Sequence, residues 1–427
     1  MSILKKIWNP NKIKDILSLE RSKTFCVMPW VHFHITQYGT VTPCCQAPWQ
    51  EEQAFGNINK QHIGEIWNSP KIKSFRKTII EGNVDKRCDS CFVREKSGFT
   101  SLRQITNAKF KHKRELVLES VKNRLVVKAA PVYFDIRFSN ICNLRCRICG
   151  PWSSSSWYND AVELGMTNKY SPAITQAFAD TDKFFKEFEQ IVDSLEELYF
   201  AGGEPLVIEE HYKVLELLIA RKKTNVRLTY NSNFSSFKYK HYNIVELWKQ
   251  FPNISIAASL DANAERGEFL RKNLKWNDVL ENRKLLMKEL PHIEFVVSPT
   301  INIYNLLHLP DFHKDWVNKG LIRVEDFIPT LLVKPKELSI SILPDYFRAN
   351  AIEKYKSHLT WIHSMSSVND LKRTHMFEQF KNVLKALSAN ETEDKIETFL
   401  NNSSAIDKIR NENTQEVFPE LKDLFQL

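Results

Sequence analysis

The chain has 427 residues, 43% of them hydrophobic, which suffices for one large domain of roughly 200–250 residues and one or two smaller ones. No stretch approaches the ~20 apolar residues of a membrane span, and the opening MSILKKIWNPNKIKDIL has no continuous apolar run, so neither a membrane protein nor a secretory signal is expected and the cytoplasm is the expected setting. The formal net charge of +9 is concentrated early: residues 1–130 carry 23 Lys+Arg against 11 Asp+Glu, residues 131–427 carry 37 against 40, and no basic-aromatic motif accompanies the excess, so a solvated basic surface is expected rather than a nucleic-acid partner.

Eight cysteines stand at positions 26, 44, 45, 88, 91, 142, 146 and 149, and none follows. A disulfide framework is out of place in a long chain without a signal, so metal binding or redox chemistry is the better reading. Residues 1–130 hold five of the cysteines and show few long periodic segments. His32 and His34 flank Phe33 in a strand-like alternation and read as surface or core histidines, while Trp30, Trp49 and Trp67 read as the core of a small domain. Residues 131–335 alternate between β-rich runs, at 132–138, 197–200, 227–230, 254–259, 293–297 and 322–327, and helical patterns such as 208–220 and 278–290. That alternation predicts a parallel sheet with helical crossovers, and six units suggest an open, partial (β/α)6 barrel whose function collects on the loops leaving the strand C-termini. Residues 336–427 read as helical. The expected architecture is α/β: a small cysteine-rich α+β domain over 1–130, a partial barrel over 131–335 and a helical C-terminal region over 336–427.

The polar motifs fall at the predicted strand ends. Cys142, Cys146 and Cys149, spaced by three and two residues, follow the first strand and can converge on one soft metal centre. Three thiolates cannot fill the four iron corners of a cubane cluster, so one iron would stay open to an exogenous ligand; a zinc loop short of one ligand is the alternative. The second strand stops at Gly202, Gly203, Glu204 and Pro205. Two glycines let the backbone approach a ligand closely, and a carboxylate can accept hydrogen bonds from an amine. Asn231 and Asn233 end the third strand, Ser259 and Asp261 the fourth, and Thr300 and Asn302 follow the fifth. Asp135 and Arg137 share one face of the first strand, where an ion pair or a substrate contact would fit. Glu325 and Asp326 lie near the end of the sixth, with one of them expected to face inward. In the N-terminal region Cys26, Cys44, Cys88 and Cys91 offer four thiolates, a closed site that spacing alone leaves open between zinc and an iron–sulfur cluster. Cys45 is left over and reads as a small buried hydrophobe.

The three-cysteine motif after the first strand, with Gly-Gly-Glu-Pro after the second, resembles the radical S-adenosylmethionine superfamily. The resemblance implies that S-adenosylmethionine chelates the open iron of a 4Fe–4S cluster through its amino and carboxylate groups. An electron from the cluster then cleaves it to a 5′-deoxyadenosyl radical that abstracts a substrate hydrogen. It also implies that Ile148 lies against the adenine and that Gly202, Gly203 and Glu204 bind the methionine amino group. Ser259 and Asp261 would contact the methionine carboxylate or ribose, and Asn231, Asn233 and Asn302 the ribose. Cys26-x12-Gly39-x4-Cys44 followed by Cys88-x2-Cys91 resembles the SPASM/twitch extension, which implies one auxiliary 4Fe–4S cluster on Cys26, Cys44, Cys88 and Cys91. There are two departures from that extension. It usually follows the barrel, whereas here it precedes it, and the position six beyond Cys91 is Ser97, leaving too few thiols for two auxiliary clusters. Relatives of this kind often modify ribosomal peptides, so the resemblance implies a peptide substrate and an electron donor such as flavodoxin or ferredoxin. Dehydrogenation of a small molecule such as an amino sugar is the second reading. A non-enzymatic four-cysteine zinc module is the third, opposed by the intact barrel motifs.

Overall fold

The computed structural model describes residues 23–96, 100–365, 370–388 and 395–426. The basic N-terminal stretch and Ser97 lie outside them. The chain divides into two compact units that do not follow one another in series: Met1–Ser139, Thr175–Gly202 and Glu209–Thr229 form one, Asn140–Ile174, Gly203–Ile208 and Tyr230–Leu427 the other.

In the first unit the cysteine-rich segment and the start of the predicted barrel share a sheet. Its strand order is Gly56–Asn57, Thr40–Thr42, His32–Ile35, Tyr133–Ile136, Glu197–Phe200. The first three form an antiparallel meander. His32 then aligns in parallel with Tyr133, and Tyr133 with Glu197. Phe33, Phe134 and Leu198 fall in register and are fully buried, which is why these three strands adhere. The opposite face carries His34, Asp135 and Arg137, and the ion pair allowed for there is present: Arg137 Nε lies 2.8 Å from Asp135, whose other oxygen is 3.1 Å from His34 Nδ1. Burial alone would raise the Asp135 carboxyl, yet Arg137 and His34 hold it well below its ordinary range. Helix Pro70–Ile80 packs on the meander side. Ser69 caps it by accepting from Ile72 N at 3.3 Å, and its Arg76, wholly buried, donates to the carbonyls of Pro29, Leu125 and Trp67. Trp30 and Trp67 are core, as expected; Trp49 is not, because it lies in irregular chain after Cys44 and is 39% exposed.

In the second unit Ile254–Ala258 lies parallel to Glu294–Val297; the first alternates buried and half-buried positions, and the second buries Phe295 and Val297 on one face with Glu294 exposed. The sixth predicted strand is not one. Val297 makes a single parallel bridge to Phe327, and Val324–Asp326 is a 3-10 turn. Arg323 bridges to Asp326 at 2.7 Å, and closing that three-residue span replaces the extended backbone that the alternation suggested. Glu325 and Asp326 are both buried against this arginine. The C-terminal region is helical as expected, over Asp345–Ser364, Asp370–Leu387, Ile396–Arg410 and Thr414–Val417. Its first two helices close over a buried aromatic group in which the His313 ring stacks 4.5 Å from Phe327 and 5.6 Å from Phe380. Among the described residues no helix is long and apolar enough to cross a membrane.

Candidate active site and cysteine-lined cavity

The three-cysteine loop lies wholly in the second unit and is held by its own polar side chains. Asn140 donates to the carbonyls of Pro151 and Ala173, at 2.9 and 3.0 Å. Ser154 and Ser156 donate to the carbonyls of Leu144 and Cys142, and Trp157 Nε1 to that of Cys146 at 2.8 Å. Arg145–Cys146 pairs antiparallel with Arg271–Lys272, which brings Arg271 Nη1 to 3.5 Å from Cys146 Sγ. Asn233 reaches Cys142 Sγ at 3.8 Å and Asn143 at 2.9 Å. The hydrogen bond between Cys149 and Cys146 lowers the Cys146 thiol to about 7 and raises that of Cys149, and Arg271 favours the thiolate of both. Burial pushes Cys142 up to about 12.

The Gly-Gly-Glu segment abuts this loop. A Cβ on Gly203 would stand 2.0 Å from the Ile141 carbonyl oxygen, so only glycine fits, and Glu204 N donates to that same carbonyl at 2.8 Å. The Glu204 carboxylate is buried and accepts from Leu206 N, Ser232 Oγ and Asn233 N, at 3.1, 2.8 and 2.6 Å. Burial raises it to about 7 in spite of those donors. Asp261 accepts from Thr300 N at 2.8 Å and pairs with Arg271 Nη2 at 2.8 Å. Arg271 therefore joins the cysteine loop to the end of the fourth predicted strand. Gly202 falls in the first unit with φ +114°. Ser259 is half-buried and its N–H donates to the Ser232 carbonyl at 2.8 Å; Ile148 is half-buried and Asn231 exposed. Asn302 is fully buried and spends its side chain on its own turn, donating to Thr300 O and accepting from Tyr304 N.

Sequence reasoning did not single out Arg271, Ser232 or Arg147. Ser232 was within reach: the strand Arg227–Ser232 buries Leu228, Tyr230 and Ser232 on one face, and the same alternation turns Asn231 outward. Arg147 sits between two of the cysteines, and its guanidinium is buried. It pairs with Asp407 and, at 2.7 Å, with Glu412, and stacks 3.9 Å from the Phe269 ring. Lys272 also meets Glu412, at 2.7 Å, and Asp160 is shared between Arg145 and Arg410. The helix Ile396–Arg410 and the turn after it are thus fastened to the cysteine loop by a network of buried charges. Between them lies a cavity of about 420 Å³ lined by Cys149, Trp157, Leu164, Tyr304, Leu338 and Ile406.

The first unit holds the other cysteines. Cys26, Cys44, Cys88 and Cys91 line a single cavity, with Met28, Phe75, Phe92 and Arg103 around them. Cys26 precedes the helix Met28–Val31, Cys44 follows the strand Thr40–Thr42, Cys88 closes a 3-10 turn and Cys91 lies in the helix Asp89–Lys96. Burial raises the Cys26 and Cys44 thiols, and pushes Cys88 up to about 12. Cys45 does not line the cavity; it is half-buried, pushed up to about 12 by burial, and its charged neighbours are Asp135 and Arg137. His32 and His34 are buried in the sheet and do not line it either. Among the described residues no three Cys, His, Asp or Glu side chains converge on a point that would hold a single ion.

Both donor sets suit iron–sulfur clusters. Four thiols around one cavity match a cluster whose irons are all held by protein, and three in one loop leave an iron open. Beside the open set, Arg271 Nε is buried without a hydrogen bond among the described residues, as the wall of a polar ligand's pocket would leave it. This is the class of an α/β protein with one open and one closed thiolate site. Residues 136–313 match the radical SAM superfamily, and residues 26–92 match SPASM, an iron–sulfur cluster-binding domain. The chain carries a radical SAM domain, with a SPASM domain placed before it. These domains imply S-adenosylmethionine, a 4Fe–4S cluster and an auxiliary iron–sulfur cluster.

Over 81 residues, 18% of its length, the chain is 32% identical to an S-adenosyl-L-methionine-dependent 2-deoxy-scyllo-inosamine dehydrogenase from Niallia circulans, and the match spans about a third of that protein, 32%. Two solved structures align with the chain at low TM-scores. SuiB of Streptococcus suis, bound to S-adenosylmethionine, has a TM-score of 0.34 at 14% identity, covering 80% of this chain and 69% of that one. TYW1 with a lysine-pyruvate adduct has a TM-score of 0.30 at 11% identity, covering 56% and 72%.

Proposed function

We propose that this chain is an iron–sulfur enzyme that reductively cleaves S-adenosylmethionine to start hydrogen abstraction from a peptide. The observation that supports it most is the assembly of Cys142, Cys146 and Cys149 beside Gly203, Glu204 and Asp261 in one polar, buried site. When bound, the cluster and S-adenosylmethionine supply one-electron reduction and a hydrogen-abstracting fragment, and the auxiliary cluster an electron acceptor. The chain's own residues bind and orient. Glu204 accepts from the ligand's amino group, Asp261 and Arg271 address its carboxylate and ribose, and Asn233 and Arg271 donate toward the cluster sulfurs. The reading includes a cytoplasmic setting and an electron donor such as flavodoxin or ferredoxin. Anaerobically reconstituted protein should contain about eight irons and no zinc, and release 5′-deoxyadenosine with dithionite. Protein that holds iron yet releases none would defeat this reading.

The choice of a peptide leans on the largely aromatic and aliphatic cavity beside Cys149. Dehydrogenation of an amino sugar is the second reading, and the partial likeness to the inosamine dehydrogenase favours it. Turnover of synthetic peptides against amino cyclitols, followed by mass loss of two hydrogens, would separate them.

A further inference from the structure

The cavity between the cysteine loop and the C-terminal helix has a composition that the cluster chemistry does not explain. At about 420 Å³ it is of the size that holds small ligands or one large side chain. Cys149 and Trp157 form one side, Leu164, Tyr304 and Leu338 contribute further apolar surface, and Ile406 comes from the helix. Asn401, Asn402 and Ala405 complete the helix wall: Asn402 and Ala405 lie three apart, and Asn401 with Ala405 and Asn402 with Ile406 four apart, the offsets that make neighbours on one helix face. The charges in the lining are unequal. Arg147 is matched by Asp407 and Glu412, whereas the half-buried Glu337 has no hydrogen-bond or ion-pair partner among the described residues. The amides of Asn401 and Asn402 are likewise exposed and unengaged among the described residues. Glu337 is set in the cavity by a 3-10 turn, Lys336–Leu338, whose Leu338 is buried. A larger cavity in the first unit, about 850 Å³, is lined by charges of both signs, among them Glu187 paired with His62 and Lys183.

An apolar sleeve that ends on one unmatched carboxylate fits a cation on an aliphatic stem. A hydrated polyol would lose its water against Trp157, Leu164 and Leu338 with only Glu337 and the two asparagine amides to replace its many hydrogen bonds, whereas a lysine-type side chain buries its methylenes there and brings its ammonium to Glu337. The two asparagines are placed to hydrogen-bond the peptide groups that carry such a side chain. We infer that this cavity binds an aliphatic ammonium group, the lysine side chain of a peptide substrate, with Glu337 as its counter-ion. The inference rests on the peptide reading above for the ligand's role, but binding is measurable without S-adenosylmethionine or reductant, so the two fail separately: loss of 5′-deoxyadenosine release speaks to the enzyme reading, and loss of binding to the cavity.

The test is calorimetric titration of the anaerobically reconstituted full chain with three probes: N-acetyl-lysine methylamide, the uncharged isostere N-acetyl-norleucine methylamide, and glucosamine. The lysine probe should bind at least about tenfold more tightly than either of the others, a difference of about 1.4 kcal/mol. Glu337→Gln should erase the advantage of the lysine probe over norleucine while leaving iron content and absorbance unchanged. Ile406→Trp, which fills the sleeve, should weaken both peptide probes. Equal binding of lysine and norleucine probes, unchanged lysine affinity in Glu337→Gln, tighter binding of glucosamine, or no binding of any probe would each overturn the assignment.

Discussion

The two cysteine sites are built in opposite ways. The N-terminal site draws its thiols from residues 26, 44, 88 and 91, in four separate pieces of local structure, and turns them into a cavity shared with Met28, Phe75 and Phe92. The other takes three thiols from a single eight-residue span, 142–149, and surrounds them with polar groups: Asn233 at Cys142, Arg271 at Cys146, and Glu204 and Asp261 beyond. Dispersed ligands in an apolar cavity make a site the fold itself closes. A contiguous loop leaves one side for a ligand, but it has to be held in shape from outside, and here Asn140, the Arg271–Lys272 pairing and the C-terminal helix do that.

The largest effect should come from exchanging the roles of the two sets. Replacing Cys142, Cys146 and Cys149 together by Ala should abolish 5′-deoxyadenosine release and lower iron from about eight to about four per chain, with the brown colour retained. Replacing Cys88 and Cys91 should remove the other four irons, leave uncoupled cleavage of S-adenosylmethionine partly intact and stop substrate turnover. A triple variant that is colourless and holds one zinc would erase the contrast between an open and a closed iron–sulfur site.

A second test bears on how the loop is held. Asp407→Ala removes one of the two carboxylates facing the buried Arg147 and also a cap for Thr414, whose N–H it accepts at 2.7 Å. Breaking a buried pair leaves a charge without its partner, so unfolding should be easier by about 3 kcal/mol and the catalytic cluster should be lost faster to a chelator than the auxiliary one. Adding Arg147→Met should recover part of this, because Glu412 keeps Lys272 at 2.7 Å. Equal rates of iron loss from both sites would show that the helix does not hold the loop.

Much of this contrast was legible in the sequence because it is local. The spacing of Cys142, Cys146 and Cys149, the Gly-Gly-Glu-Pro stop and five of six strands follow from short-range pattern alone, and the strand at 197–200 was placed to the residue. What was missed is long-range. Nothing near Arg147 announces Asp407 or Glu412, some 260 residues on, and nothing near Cys146 announces Arg271. The sixth strand failed because a side-chain bridge, Arg323 to Asp326, outweighed an alternating pattern. Asn231 reads as a polar residue at a strand end, but strand alternation turns it outward and gives the buried position to Ser232, which carries a hydrogen bond to Glu204; Asn233, just past the strand, is buried and reaches the site.

Smaller again is the effect of Glu204 alone. Glu204→Gln keeps the acceptor but removes the charge, so S-adenosylmethionine should bind about ten- to hundredfold more weakly with iron content unchanged. Unaltered affinity by calorimetry would take the amino-binding role away from this residue.

The smallest effect, and the one that most sharpens the difference between a polar open site and an apolar closed one, is its pH dependence. Burial raises the Glu204 carboxyl to about 7 in the free protein, so near neutrality it is only partly ionised. An amino N–H donated to it by the bound ligand favours the ionised form and draws that pKa down. Binding therefore releases a proton below about pH 7, and affinity for S-adenosylmethionine should rise as pH increases, by about tenfold from pH 6 to pH 8, and level off above. The stability linkage of the free protein runs the other way. A carboxyl raised above its unfolded value contributes stability at low pH that is lost as pH climbs through about 7, so S-adenosylmethionine should stabilise the protein most on the alkaline side of that range. Glu204→Gln has no proton to give up and should flatten both profiles. A slope that survives in the Gln variant would place the titrating group elsewhere in the site, with the coupled Cys146–Cys149 pair the next to examine in cluster-free protein.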